Sequence, residues 1–356
     1  MEQNSAEAKK RMDRTYYFDC LRIIACFGVM ILHIASKKWY GTPVTSFEWN
    51  VLNIYDSITR WVVPLFVMIS GALFLNGKQS IEKLYKKYVL RIVTAFLFWS
   101  FLYAGVRFIG GCGMKETVKA FLTGHYHLWF LFMIAGLYII VPFLRKITES
   151  DTLIKYYLVL AFVFAFLLPQ TVTILKLLSK SWGTLVNTML SNVKFHFTLG
   201  FSCYFVLGYY LDRIELGKVA RWILYLLGIA GFLFTAGMTA MLSISGGKPS
   251  DTFYGHFTVN ILLESVAVFV FGKYHLKLAG AREKTLRLVR KLSKYSFGAY
   301  LVHVFIIERL QGQLGIDALT FSPLVSVPVI GIVVFVVSFL ISAVLHRIPV
   351  LNKYIV

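Results

Sequence analysis

Ten apolar runs, each about the length a helix needs to cross about 30 Å of hydrocarbon, constrain this chain more than any other feature. They lie at roughly 18–37, 53–76, 88–110, 127–144, 153–171, 195–211, 220–243, 256–272, 294–310 and 324–345. Such runs read as membrane-spanning helices, so the expected fold class is all-α, a polytopic membrane bundle of about ten transmembrane helices. Composition agrees, because hydrophobic residues make up 58% of the 356 and charged residues only 15%, more apolar surface than a water-soluble core can hide.

The formal net charge of +20 does not point to nucleic acid. Lys and Arg punctuate the apolar runs instead of gathering in a basic domain. With the N-terminus in the cytoplasm, alternate loops hold 25 of the 37 Lys and Arg inside and 11 outside, with Arg22 within the first run. That asymmetry supports an even number of spans, both termini cytoplasmic, in the plasma membrane. The organisation expected is a basic cytoplasmic tail over 1–17, a transmembrane domain over 18–347 and a short cytoplasmic tail over 348–356, with no appended soluble domain.

The basic run Lys9, Lys10, Arg11 and Arg14 before the first apolar stretch resembles a signal peptide, but no small-residue cleavage pattern follows, which reads as a retained anchor. Cys20, Cys26, Cys112 and Cys203 are scattered, and none forms a CxxC pair, so neither a disulfide framework nor a zinc site is implied. The stretch from 171 to 196 is ambiguous between an outer loop, a re-entrant segment and an interfacial helix.

The first span holds charges that lipid would not tolerate: Asp19, Arg22 and His33 in "YFDCLRIIACFGVMILHIASKKW". Eleven residues at 100° each bring Arg22 and His33 to within about 20° of one another around the helix, with Asp19 on the same face. By helical rise they are about 16 Å apart, Arg22 near the inner boundary and His33 deep in the layer. A cation at mid-membrane costs roughly 2.5–3.5 kcal/mol on insertion scales, so this stripe should face the bundle interior or a wet cavity. One reading is an Asp19–Arg22 pair at the helix entrance with a hydrogen-bonded structural His. The other is an anion-binding Arg22 and a neutral His33 acting as a base, which suits a long ligand with a charged head and a reactive tip.

Further segments sharpen the second reading. "DCLRIIACFGVMILH" resembles the first-helix signature of the acyltransferase 3 family, with Arg22, ten residues, then His33. "RWVVPLFVMISGALF" (Arg60, Pro64, Ser70, Gly71), "HLWFL" (His127, Trp129), "FVLGYYL" and "LSKYSFGAYLVH" (Tyr300, His303) follow in family order and cover nearly the whole chain. The resemblance implies a membrane enzyme that moves an acyl group, usually acetyl, from cytoplasmic acyl-CoA to a hydroxyl of an extracytoplasmic carbohydrate. Acetyl-CoA is then the expected cosubstrate and no metal is needed. By the same resemblance His33 is catalytic and Arg22 binds the donor, with Asp19 beside it.

The family's RxxR motif after the second helix is replaced here by "KLYKKYVLR". Lys86, Lys87 and Arg91, with Lys83, are the expected donor-binding cations, against the plainer reading of ordinary positive-inside loop charge. Arg60 follows Asp56 by four residues, so it either pairs with Asp56 or lines the acceptor side. Glu264 sits mid-span with no basic residue within a turn and needs a partner from another helix or a proton of its own. Ser70, Trp129, Tyr300 and His303 complete the acceptor-side or supporting set. His125 and His127 are spaced HxH, but no third metal ligand is evident, and an interfacial belt with Tyr126 and Trp129 is the reading preferred.

No GxSxG, P-loop or dinucleotide fingerprint occurs. The rival from another class is a proton-coupled exporter of a saccharide or small acid using His33 and Glu264, whose mark would be paired helix interruptions in two halves. Pro64, Pro142, Pro169 and Pro328 fall at unrelated places. A receptor or scaffold would leave the aligned Arg22 and His33 without a shared purpose. Expected partners are the acyl-CoA donor, a surface polysaccharide or lipid-linked sugar as acceptor, and membrane lipids; a homo-oligomer is left open.

Overall fold

The computed structural model describes residues 2–77, 79–191 and 200–356. Its helices, in chain order, are α1 (Glu2–Trp39), α2 (Phe47–Ser57), α3 (Val62–Leu75), α4 (Ile81–Ile109), α5 (Met114–Thr123), α6 (Trp129–Thr148) and α7 (Asp151–Leu178). They continue as α8 (Lys180–Ser191), α9 (Ser202–Arg213), α10 (Lys218–Gly246), α11 (Val259–His275), α12 (Glu283–Leu314), α13 (Pro323–Leu345) and α14 (Pro349–Tyr354). Among the described residues there is no strand. The chain is an all-helical membrane bundle.

Among the described residues seven stretches are long and apolar enough to cross a bilayer, where ten apolar runs are visible in the sequence. The difference has a physical shape. Helix α9 has 12 residues, about 18 Å at 1.5 Å per residue, and α11 has 17. Helix α12 has 32 residues and carries Lys284, Arg287, Arg290, Lys291 and Lys294 in its first half, so its apolar part is only the end of a longer rod. Within the ambiguous stretch, α7 runs on to Leu178 and α8 follows at once; residues 192–199 lie outside the described residues, as does the first part of the run expected at 195–211.

Helix α1 sits at the centre and packs against α2, α3, α11, α12 and α13. This is why it can carry a polar stripe: most of its surface meets protein, not lipid. The tightest crossing is that of α3 with α9. A Cβ on Gly71 would overlap the Phe205 backbone, and one on Gly208 would overlap the Met68 backbone. The two glycines let the helix backbones touch, as small residues do throughout membrane bundles. At the Trp39 end of α1, Trp39 and Trp49 are fully buried, and the Trp49 indole donates to the Trp39 carbonyl at 3.1 Å.

Two breaks in the helices matter for function. Pro64 stands in the first turn of α3, where its missing N–H costs nothing, and its ring disfavours a continuous helix through residue 60. The apolar run at 53–76 therefore splits at residues 58–61, and Arg60 falls in the break. The second break follows α5. Gly124 adopts φ +74°, the left-handed region open to glycine, and turns the chain so that His125 to Leu128 enter the bundle before α6 begins.

Candidate active site

A cavity of about 380 Å³ opens beside α1. Its charged and polar lining includes Arg22, Ser70, Arg91, Tyr138, Lys294 and Tyr300. Four residues singled out in the sequence, Arg22, Ser70, Arg91 and Tyr300, thus come from four different helices to one space. The lining extends from Phe130 to Tyr138 on α6 and from Ser293 to Tyr300 on α12, roughly 10–12 Å along each helix. Cations lie at the Tyr17 end and aromatic rings at the deep end.

Arg22 is held at the rim of this space. Its Nη1 lies 3.6 Å from Asp19 Oδ1, and the Ser293 hydroxyl donates to that same oxygen at 2.6 Å. The Asp19–Arg22 pair read from the sequence therefore exists, yet the contact is long and leaves most of the guanidinium's five donors free for an anion. Arg91 donates to the Val356 carbonyl and lies 5.7 Å from the Phe297 ring. The three lysines expected to join it lie outside the lining, Lys83 exposed in the first turn of α4. Lys86 is exposed and paired with Glu82 at 2.7 Å, and Lys87 is exposed over the Tyr88 ring. Lys294, not singled out beforehand, takes their place in the lining.

Tyr300 closes the deep end, and beyond it is a cluster of four histidines. The His33 ring lies 5.3 Å from that of His303, and His303 lies 5.5 Å from His127 and 5.6 Å from Tyr300, centroid to centroid. Tyr126 stands edge-on to His33 at 5.3 Å. The Tyr300 hydroxyl donates to the His127 carbonyl, which fixes the ring across the end of the cavity. His33 does not line the cavity; it stands beyond Tyr300.

His303 is fully buried, and its orientation is informative. Nδ1 lies 2.5 Å from the Tyr300 carbonyl oxygen, which can only accept, so Nδ1 carries the proton. In the neutral ring the lone pair is then on Nε2, which is buried and has no hydrogen-bond partner among the described residues. One nitrogen is thus tied to the backbone and the other keeps its lone pair inside the bundle.

His127 corrects the sequence reading. It is 1% exposed, a core residue between His303, Tyr300 and Tyr103, whereas the interfacial belt was expected to include it. Tyr126 and Trp129 are 48% and 40% exposed and fit such a belt. The reason is the Gly124 turn, which swings the residues after it inward in a way apolar periodicity does not register. The available signal was the glycine itself, placed just before two histidines spaced by one. Among the described residues no group of three His, Cys, Asp or Glu side chains is arranged to hold a metal.

Of the remaining residues, Arg60 lies towards the Trp39 end, against Tyr254, whose ring is 5.3 Å from that of Trp39. Arg60 Nη2 is 2.6 Å from Asp56 Oδ1, and its guanidinium rests 3.8 Å over the Tyr254 ring. Asp56 is 1% exposed, so the i,i+4 pair is a structural one. Trp129 stacks on His256 at 5.8 Å. Ser70 donates to the Phe66 carbonyl at 2.9 Å. Glu264 finds its partner on α10, as the Thr235 hydroxyl donates to Oε1 at 2.8 Å, while it lines a separate, mostly apolar cavity of about 300 Å³ with Trp61 and Phe232. It is not part of the histidine cluster.

A rim of cations, a largely apolar passage and, past Tyr300, a group of buried histidines lie in series. No curated protein and no solved structure matches this chain. A family model described as an acyltransferase domain matches residues 15–345, from just before the first apolar run to the end of α13. The protein belongs to the acyltransferase 3 family and is a membrane acyltransferase.

Proposed function

We propose that the protein is an O-acyltransferase of the plasma membrane that moves an acyl group, most simply acetyl, from cytoplasmic acyl-CoA to a hydroxyl of an extracytoplasmic or lipid-linked carbohydrate. The observation that carries this reading is the cavity that runs from Arg22, Arg91 and Lys294 to Tyr300, with the histidine cluster on the other side of the Tyr300 ring. The Lys and Arg asymmetry supports placing the Tyr17 end of α1 in the cytoplasm and the Trp39 end outside.

In this account Arg22, Arg91 and Lys294 hold the donor's phosphates, for which guanidinium groups offer forked donors and an ammonium a point charge. The apolar walls, Phe66, Phe130 and Ile134 among them, take the uncharged arm. The thioester reaches past Tyr300 to His33. His33 accepts the proton of the acceptor hydroxyl, the oxygen attacks the thioester carbonyl, and the C–S bond breaks with its electron pair on sulfur. The alternative in which His33 first takes the acyl group on nitrogen uses the same residues. Asp19 orients Arg22, and the Tyr254-stacked Arg60 faces the acceptor side.

The test is transfer of label from acetyl-CoA to membrane carbohydrate by membranes containing the protein. His33→Ala should abolish transfer while inserting normally. Unchanged transfer in that variant would remove His33 from the mechanism.

A further inference from the structure

The histidine cluster is connected to one side only. His127 Nδ1 lies 3.1 Å from His125 Nδ1, His125 Nε2 lies 3.3 Å from Glu308 Oε1, and Glu308 Oε1 lies 3.4 Å from Lys37 Nζ. The Glu308 side chain is 38% exposed and that of His125 11% exposed, so the chain of contacts runs from the core to solvent at the Trp39 end. On the other side, Tyr300 separates the cluster from the donor cavity.

The carboxylate partner orders the protons. His125 Nε2 faces the Glu308 carboxylate, which can only accept, so His125 carries its proton on Nε2 and its Nδ1 accepts from His127 Nδ1–H. His127 Nε2 lies 3.4 Å from the Leu301 carbonyl, the far limit of a hydrogen bond, and is the nitrogen on which His127 takes up a proton from the cluster. The groups that face His125 are Glu308 from α12, the Tyr103 ring of α4 stacked at 4.4 Å, Tyr126 and His127 from its own turn, and Lys37 of α1 through Glu308. His125 thus accepts one hydrogen bond from the inner side and donates one to the outer side, the order an outward relay requires.

We propose that His127, His125 and Glu308 form a proton relay that carries the acceptor hydroxyl's proton from the His33–His303 pair to the acceptor side of the membrane. The inference rests on the acyl-CoA reading above. The balance is complete: the O–H bond breaks and its proton passes through His33 into the relay, the ester C–O bond forms, the C–S bond breaks, and the thiolate takes a proton from water on the donor side. Each acyl group moved therefore consumes one proton on the donor side and releases one on the acceptor side. The His33–His303 and His303–His127 steps, at 5.3 and 5.5 Å between centroids, are each within reach of a bridging water.

The experiment uses sealed inside-out membrane vesicles containing the protein, with radiolabelled acetyl-CoA outside and a pH-sensitive dye in the lumen, against vesicles lacking it. The expected result is one lumenal proton per acyl group transferred, and an initial rate that falls as the lumen is acidified at fixed external pH. Glu308→Gln should slow transfer roughly tenfold, at the low end of acid–base effects, and abolish the response to lumenal pH. Acyl transfer without lumenal protons would overturn the relay alone, whereas no transfer from acetyl-CoA by wild-type vesicles would overturn the acyl-CoA reading and the relay with it. Nitrogen NMR of histidine-labelled protein gives a second, ligand-free check: His125 should carry its proton on Nε2 and accept on Nδ1, and a His125 that donates from Nδ1 to His127 would refute the relay.

Discussion

Arg22→Ala separates a donor-binding role from a structural one. Asp19 loses a guanidinium 3.6 Å away but keeps the Ser293 hydroxyl at 2.6 Å, so no carboxylate oxygen is stranded by the change. The Arg22 side chain is 31% exposed, and a long, partly exposed pair contributes at most about 1 kcal/mol after solvent screening. Thermal stability should therefore hardly move. Against a phosphate, the same guanidinium makes charge-assisted hydrogen bonds worth about 1.5–3 kcal/mol, or roughly 10- to 150-fold in Kd. Arg91→Ala should fall in the same range, because Arg91 lines the same cavity from α4. Arg22→Lys should fall between, keeping the charge and losing the fork. Isothermal titration of acetyl-CoA into detergent-purified protein, repeated at two salt concentrations, measures all three. Single variants that bind within twofold of wild type while melting normally would refute the assignment of this cavity to the donor.

Other outcomes follow from the same geometry. Lys86→Ala and Lys87→Ala, whose side chains are exposed outside the cavity, should change donor Kd by less than about twofold, a range typical of exposed pairs. Arg60→Ala leaves the buried Asp56 without its cation and should cost about 3–5 kcal/mol, lowering the melting temperature, and removing both partners should cost less. Gly208→Leu forces α3 and α9 apart at the Met68 carbonyl and should destabilise by at least about 1–3 kcal/mol, read as a lower melting temperature or lost expression of folded protein. Tyr300→Phe leaves the His127 carbonyl without its donor, costing about 1–3 kcal/mol of stability, and should lower transfer while donor Kd stays within about twofold.

Two residues of the candidate site, Arg22 and His33, were legible together because they share one helix. The spacing of Arg22 and His33 puts both on the inward face of α1, and a helix carrying such a stripe has to be central. The glycines of "ISGALF" and "FVLGYYL" carried a packing meaning that only the α3–α9 crossing reveals. What the sequence concealed were departures from regular helix. The break at residues 58–61 is foreshadowed by Pro64, but the inward turn at Gly124 lies just ahead of the apolar run at 127–144, and hydropathy gives no sign of it. That turn decides whether His125 and His127 sit at a membrane surface or inside the bundle. The lysines of "KLYKKYVLR" lie outside the cavity for a related reason: the segment Leu84–Val89 is wound as a π-helix and its lysines stay outside, while Arg91 in the following α-helical turns enters the lining. A cation from the polar half of α12, Lys294, is set there by tertiary packing alone.

The most direct measurement is a cryo-EM map of the protein in nanodiscs with acetyl-CoA. The account predicts phosphate density against Arg22, Arg91 and Lys294, and the thioester carbonyl carbon within about 3.5 Å of a His33 ring nitrogen or of an acceptor oxygen held by it, the separation of a near-attack pose. Density for the donor at Lys86 and Lys87, or in the Glu264 cavity, with none along the passage from Arg22 to Tyr300, would contradict it.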